Sequence, residues 1–192
     1  MESKSLLIDG YYNRYDTLAK NFFNDKSACE NMSKCVGILS GTKKTGAKIY
    51  IIGNGGSSAI AEHMAIDLTK NAGLKAMAIS GSPMLTTFSN DYGYENVFRK
   101  ALESFADKND ILIAISSGGT SKNILNACAF AKEKGMFTIT LSGFEMSNPL
   151  RQAGDINFWV DSKAFGFVEL FHNFILHYIN DSIIGSEIYM IR

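Results

Sequence analysis

The chain has 192 residues, 46% of them hydrophobic, 20% charged and only two prolines, so a single domain with one buried core is expected. Nineteen Lys and Arg balance nineteen Asp and Glu, so no net field gathers nucleic acid or an anionic membrane, and any anion must be held locally. Disorder is excluded as the main state, and neither disulfides nor a structural metal are needed to stabilise a core of this size.

Cys29, Cys35 and Cys128 are odd in number and lack CxxC spacing, as expected of reduced thiols in a cytoplasmic protein. The opening MESKSLLIDG offers only Leu6–Ile8 as an apolar run, short of a signal-peptide core, and no stretch approaches the roughly 18 apolar residues of a membrane span. Neither nucleic acid nor membrane is expected as a partner.

From Leu6 to about Ser40 the apolar residues Tyr15, Leu18, Ala19, Phe22 and Phe23 recur at helical spacing, predicting one or two helices. The turn-rich Ser40–Lys48 leads into Ile49–Ile52, a short apolar run with the character of a strand buried on both faces. A helix over Ala59–Asn71, a strand at Ala76–Ile79, a helix around Tyr94–Ala106 and a strand at Ile111–Ile115 follow. Then come a helix at about Lys122–Lys134, a strand at Phe137–Leu141, a short helix near Asn148–Ala153, a strand at Ile156–Val160 and a long helix over Phe165–Ile184. This alternation predicts an α/β fold: a three-layer α/β/α sandwich on a five-stranded parallel sheet. One domain spans 1–192, with a helical arm over 1–45 and the α/β core over 46–192. Ligands of such sheets bind beyond the carboxyl ends of the strands.

Two loops stand at such ends. Gly53-Asn54-Gly55-Gly56-Ser57-Ser58 follows the first strand, and Ser116-Ser117-Gly118-Gly119-Thr120-Ser121 follows the third. A strand-to-helix turn presents unpaired amides and the positive helix end, glycines admit close approach, and hydroxyls add directional donors, so phosphate is the natural guest. The first loop lacks the third glycine of a dinucleotide fingerprint, the second strand ends Ala78, Ile79, Ser80 without an acid to hold a ribose, and no GK[ST] occurs. What remains is a phosphate on something small, held by uncharged donors, as suits a phosphosugar.

The segments GNGGSSAIAEHMAIDL, LTTFSNDYGYENVF and AISSGGTSKNI, in this order and spacing, resemble the sugar isomerase (SIS) domain family and within it the phosphoheptose isomerases. The resemblance covers nearly the whole chain. It implies a flavodoxin-like sheet, a homotetramer with interfacial active sites, and conversion of sedoheptulose 7-phosphate to D-glycero-D-manno-heptose 7-phosphate for surface-polysaccharide synthesis. It assigns phosphate and substrate binding to Asn54, Gly55, Gly56, Ser57, Asp91, Ser116, Ser117 and Ser121, with Gly118 standing where the family commonly has a further serine. It assigns catalysis to Asp67 and His177, and implies zinc, one per site, on His63, Asp67, Glu169 and His177. Asp67 replaces the family's glutamate and Glu169 its glutamine. A catalytically silent tetramer of the replication initiator-associating type, and an isomerase of another phosphosugar, are the rival readings.

The residues themselves suit that chemistry. A ketose becomes an aldose when a proton moves between adjacent carbons through an enediol, which one carboxylate and one imidazole can serve. His63 and Asp67 are four apart on a helix, hence on one face. Glu169, His172 and His177 punctuate the apolar FVELFHNFILHYI and need partners. Glu169 and His177 share a broad face, roughly 80° apart, but stand about 12 Å apart along the axis. Two subunits are therefore expected to supply them to one site, with Glu169 compensating for the short Asp67. His172 is expected to be satisfied in a helix interface, and Asn90–Glu95 to form a loop in which Asn90 or Asp91 caps a helix and Asp91 can meet sugar hydroxyls.

Overall fold

Five short strands pair side by side in the computed structural model, which describes residues 8–189. They are β1 (Ile49–Gly53), β2 (Ala76–Ala78), β3 (Ile111–Ser116), β4 (Phe137–Ser142) and β5 (Ile156–Trp159), all parallel, in the order β2-β1-β3-β4-β5. β1 and β3 are buried at every position, as strands covered on both faces must be.

Successive strand residues face opposite sides of the sheet, and the core divides accordingly. Ile49, Ile51, Ile113 and Ile139 pack under α1 (Ile8–Asn24), α2 (Lys26–Thr45), α3 (Gly56–Lys70) and α7 (Phe165–Ile184). Tyr50, Ile52, Leu112 and Ala114 pack under α4 (Ser82–Tyr92), α5 (Val97–Phe105) and α6 (Lys122–Lys134). The three layers and five parallel strands are thus as expected. The expected helical start at Leu6 lies outside the described residues. The helices over 8–45 join the first layer, where Met32, Cys35 and Leu39 are buried. Asp25 caps α2 through the Ser27 amide, and Gly46 ends it in the left-handed conformation.

Two segments depart from expectation: α2 continues through Thr45 into the stretch from Ser40 that reads as turn-rich, because Leu39 and Thr42 are buried on its inner face, and a further helix forms between β2 and α5. The segment Ser82–Tyr92 is a helix, opened by Pro83 and turned toward the sheet by Met84, Leu85 and Phe88. Asn90 and Asp91 therefore close α4 instead of capping the helix after it, and Gly93 ends the turn. A stretch with two threonines, two serines, an asparagine and an aspartate has weak intrinsic helix preference; packing of its apolar face decides it.

Among the described residues no helix is long and apolar enough to cross a membrane. All three cysteines are free, and burial pushes the Cys35 and Cys128 thiols up to about 12, so they are inert core groups.

Candidate active site

β1 and β3 are neighbours at the point where the strand order reverses, and the two hydroxyl-rich loops leave from their carboxyl ends. Between them lies a cleft of about 750 Å³ lined by Asn54, Gly55, Gly56, Ser57, Ser116, Ser117 and Ser121. Seven of the eight expected phosphate-site residues therefore meet. The eighth, Asp91, does not: it is exposed in the last turn of α4, where its Oδ1 accepts the Asn90 amide.

Backbone conformation shapes both loops. Gly55 heads α3 at φ 54°, ψ −122°, a region closed to side chains, and so lets the chain turn from β1 into the helix at the edge of the cleft. Gly119 adopts φ 65° and packs so tightly on Asn148 that a Cβ would overlap its side chain. The second loop is clamped on both sides: Gly143 N donates to Ser117 O at 2.9 Å, and Leu150 N donates to Gly119 O at 3.1 Å. Ser121 caps α6 without using its side chain, leaving Oγ within 3.3 Å of Ser116 Oγ and facing the cleft. Ser117 Oγ is buried with no partner, an orphan donor awaiting an acceptor. Among the described residues no Lys or Arg lines the cleft, so an anion here is held by amides and hydroxyls. The opposite wall, absent from the sequence reading, is Phe144 against Phe165 with ring centroids 4.7 Å apart, beside Glu145, which pairs with Lys163 at 2.5 Å.

A second constellation lies on the outer face of α3 and α7. His63 Nε2 stands 3.3 Å from Asp67 Oδ2, His177 Nδ1 stands 3.9 Å from the same oxygen, and the imidazole centroids are 5.1 Å apart. Asn71 Nδ2 donates to the other Asp67 oxygen at 3.1 Å and steadies the carboxylate. Asp67 is largely covered, while His63 is more than half exposed. The three offer ligand atoms within 4.8 Å of one another. Two ligands about 2.1 Å from one tetrahedral ion stand roughly 3.4 Å apart, so two imidazole nitrogens and a carboxylate oxygen this close are a donor set that could hold a divalent metal such as zinc, the wider-spaced nitrogens closing inward onto it.

Glu169 is not part of this cluster. Its carboxylate packs against Gly56 at the rim of the phosphate cleft, two turns up α7 from His177, because the two residues are eight positions apart on a straight helix. Within one chain it therefore cannot compensate for the shorter side chain of Asp67, which reaches both imidazoles unaided.

His172 is fully buried. Its Nε2–H donates to Ser142 O at 3.2 Å, which leaves Nδ1 as an unprotonated nitrogen without a partner. Burial holds its pKa down at about 4. The unfolded chain takes up this proton near pH 6.5 and the folded one only near 4, so folding stability falls as pH drops through that window. Between pH 7 and pH 5 the loss is about 2 kcal/mol, and urea unfolding of His172→Gln should lack this part of the slope.

A model of the SIS domain family matches residues 10–143. The chain is 35% identical over 182 residues to a phosphoheptose isomerase of Helicobacter pylori, covering 88% of this chain and 94% of that one. The structure of a phosphoheptose isomerase from Francisella tularensis superimposes with a TM-score of 0.84 at 25% identity, covering 93% of this chain and 97% of the other. That of one from Neisseria gonorrhoeae does so with a TM-score of 0.82 at 26% identity, covering 92% and 96%.

Proposed function

The chain belongs to the SIS domain family, and from that membership and the two constellations above we propose that it is a phosphoheptose isomerase, converting sedoheptulose 7-phosphate to D-glycero-D-manno-heptose 7-phosphate for heptose biosynthesis. The observation that carries the reading is the meeting of Asp67 with His63 and His177, a carboxylate and two imidazoles drawn from helices over a hundred residues apart, in a chain whose other conspicuous site is a cleft of uncharged phosphate donors. The reducing environment implied by three free thiols supports a cytoplasmic location.

The substrate phosphate is held by the amides at Gly55 and Gly56 and by Ser57, Ser116, Ser117 and Ser121. Asp67 removes a proton from C1 of the ketose, giving an enediol across C1 and C2, and returns it to C2. His177 relays the hydroxyl proton, so that the oxygen on C2 gains one and the oxygen on C1 loses one. Zinc, held by His63, Asp67 and His177, would supply positive charge beside these oxygens.

One chain does not complete this site. Gly56 and Asp67 are eleven residues apart on α3, about 16 Å along its axis. The six carbon–carbon bonds of a heptose, about 1.5 Å each, add up to less than that axial rise. The site is therefore built between copies in a homotetramer, the phosphate cleft of one facing the cluster of another, with Glu169 of the first joining His63, Asp67 and His177 of the second. In support, the outer face around the cluster carries Leu170 beside His63 and Phe174 and Tyr178 beside His177, each more than 40% exposed in the single chain.

Incubation with sedoheptulose 7-phosphate and product analysis, with and without chelator and added zinc, tests the reading; binding without turnover favours a silent scaffold instead. The departure at Gly118 is also testable. A Cβ there meets only Phe144 Cδ2 and Thr120 Oγ1, both at 3.9 Å, so Gly118→Ser fits and adds a donor to the cleft. Its KM for the phosphosugar should fall about threefold to tenfold in steady-state assays, the worth of one hydrogen bond.

A further inference from the structure

The Asn54 side chain, expected to face substrate, is already engaged within the protein. Its Oδ1 accepts from Tyr94 Oη at 2.8 Å and from Asn123 Nδ2 at 2.9 Å, and its Nδ2 donates to Asn123 Oδ1 at 3.0 Å. Asn123 is 3% exposed in the first turn of α6, and its Oδ1 also accepts from Ile124 N at 3.0 Å. That backbone bond fixes which end of the Asn123 amide faces Asn54. The orientation of Asn54 follows, with its oxygen turned to the Tyr94 hydroxyl. Neither Asn123 nor Tyr94 lines the cleft.

If, as proposed above, the cleft takes the substrate phosphate, we infer that Asn123 and Tyr94 are positioning residues which, through Asn54, set the spacing of the two phosphate loops. Asn54 leaves the end of β1 and Asn123 stands just beyond the loop that leaves β3, so the paired amides tie the two loops together, 69 residues apart in sequence. The phosphate donors come from both loops, and small displacements of either loop misalign all of them at once. Tyr94, 55% exposed on the short turn after α4, adds a second donor to the oxygen that Asn123 already holds. It ties the orientation of Asn54, and through it the geometry of the cleft, to a segment with no direct access to the ligand.

The test uses Tyr94→Phe, Asn123→Ala and the double variant of the full chain. Inorganic phosphate is titrated by calorimetry, KM and kcat are measured with sedoheptulose 7-phosphate, and thermal midpoints are recorded. Tyr94→Phe should weaken phosphate binding and raise KM about threefold with kcat and the midpoint unchanged, and Asn123→Ala about tenfold. Because both donors act on one oxygen, the double variant should fall short of the product of the two effects. Unchanged phosphate affinity in Tyr94→Phe overturns the inference, and since that position is exposed, it decides the matter even where Asn123→Ala fails to fold. Phosphate binding that weakens as expected without any turnover upholds the positioning role and overturns the substrate reading. A wild-type chain that binds no phosphate overturns both.

Discussion

Asp67→Asn and His177→Ala are each expected to lower isomerisation of sedoheptulose 7-phosphate by about a hundredfold to ten-thousandfold, the range contributed by a positioned general acid or base. Asparagine keeps the shape of Asp67 and can still bond Asn71, which now meets the Asp67 carboxylate at 3.1 Å, but it cannot take a proton from carbon. His177 is about one-third exposed at the α7 surface, so its truncation opens no core cavity. Both variants should elute at the wild-type position in size exclusion and melt near the wild-type temperature. The measurement is kcat with purified sugar phosphate. Near-normal turnover in either variant would reject the assigned roles. Because the same two side chains offer ligand atoms to a metal, zinc content measured alongside should fall in both.

Two inactive variants mixed together should regain activity that neither has alone. Ser121→Asp keeps a good helix cap on α6 but puts a carboxylate where the substrate phosphate belongs. His177→Ala leaves the phosphate cleft intact. If a site pairs the cleft of one copy with the cluster of another, a mixed assembly contains some sites with both halves unaltered. Co-refolding the two variants should therefore restore turnover, while each refolded separately stays inactive. A mixture with no recovery, given mass-spectrometric proof that the subunits exchanged, would mean that cleft and cluster serve one site within a chain. The distance of about 16 Å along α3 weighs against that outcome. So does the position of Glu169, whose carboxylate sits with the phosphate cleft and not with His63, Asp67 and His177.

Much of this site is legible in the chain because its components are local. Glycine and hydroxyl residues at a strand end specify an anion-binding turn through backbone conformation alone, and both loops form where their residues put them. The i, i+4 spacing of His63 and Asp67 places them on one helix face, and they meet at 3.3 Å. Asn123 lies within the AISSGGTSKNI segment yet carries no local signal of its role, because its partner is 69 residues away and the amide pair exists only once β1 and β3 are neighbours. Tyr94 is similar: its polar, aromatic surroundings mark it, but the hydroxyl finds Asn54 only after α4 folds against the sheet.

Periodicity and turn chemistry along the chain were thus enough for five parallel strands, two phosphate-type loops and a His–Asp helix face, since each depends on neighbours within about two helical turns. The segregation of Glu169 from the cluster, the desertion of Asp91 from the cleft and the helical state of Ser82–Tyr92 were decided by packing. The rigid length of α3 and α7 sets cleft and cluster apart, and the apolar face of α4 finds its cover only on the assembled sheet. Such distances between elements arise when side chains far apart in sequence are buried together, and no local stretch of residues encodes them.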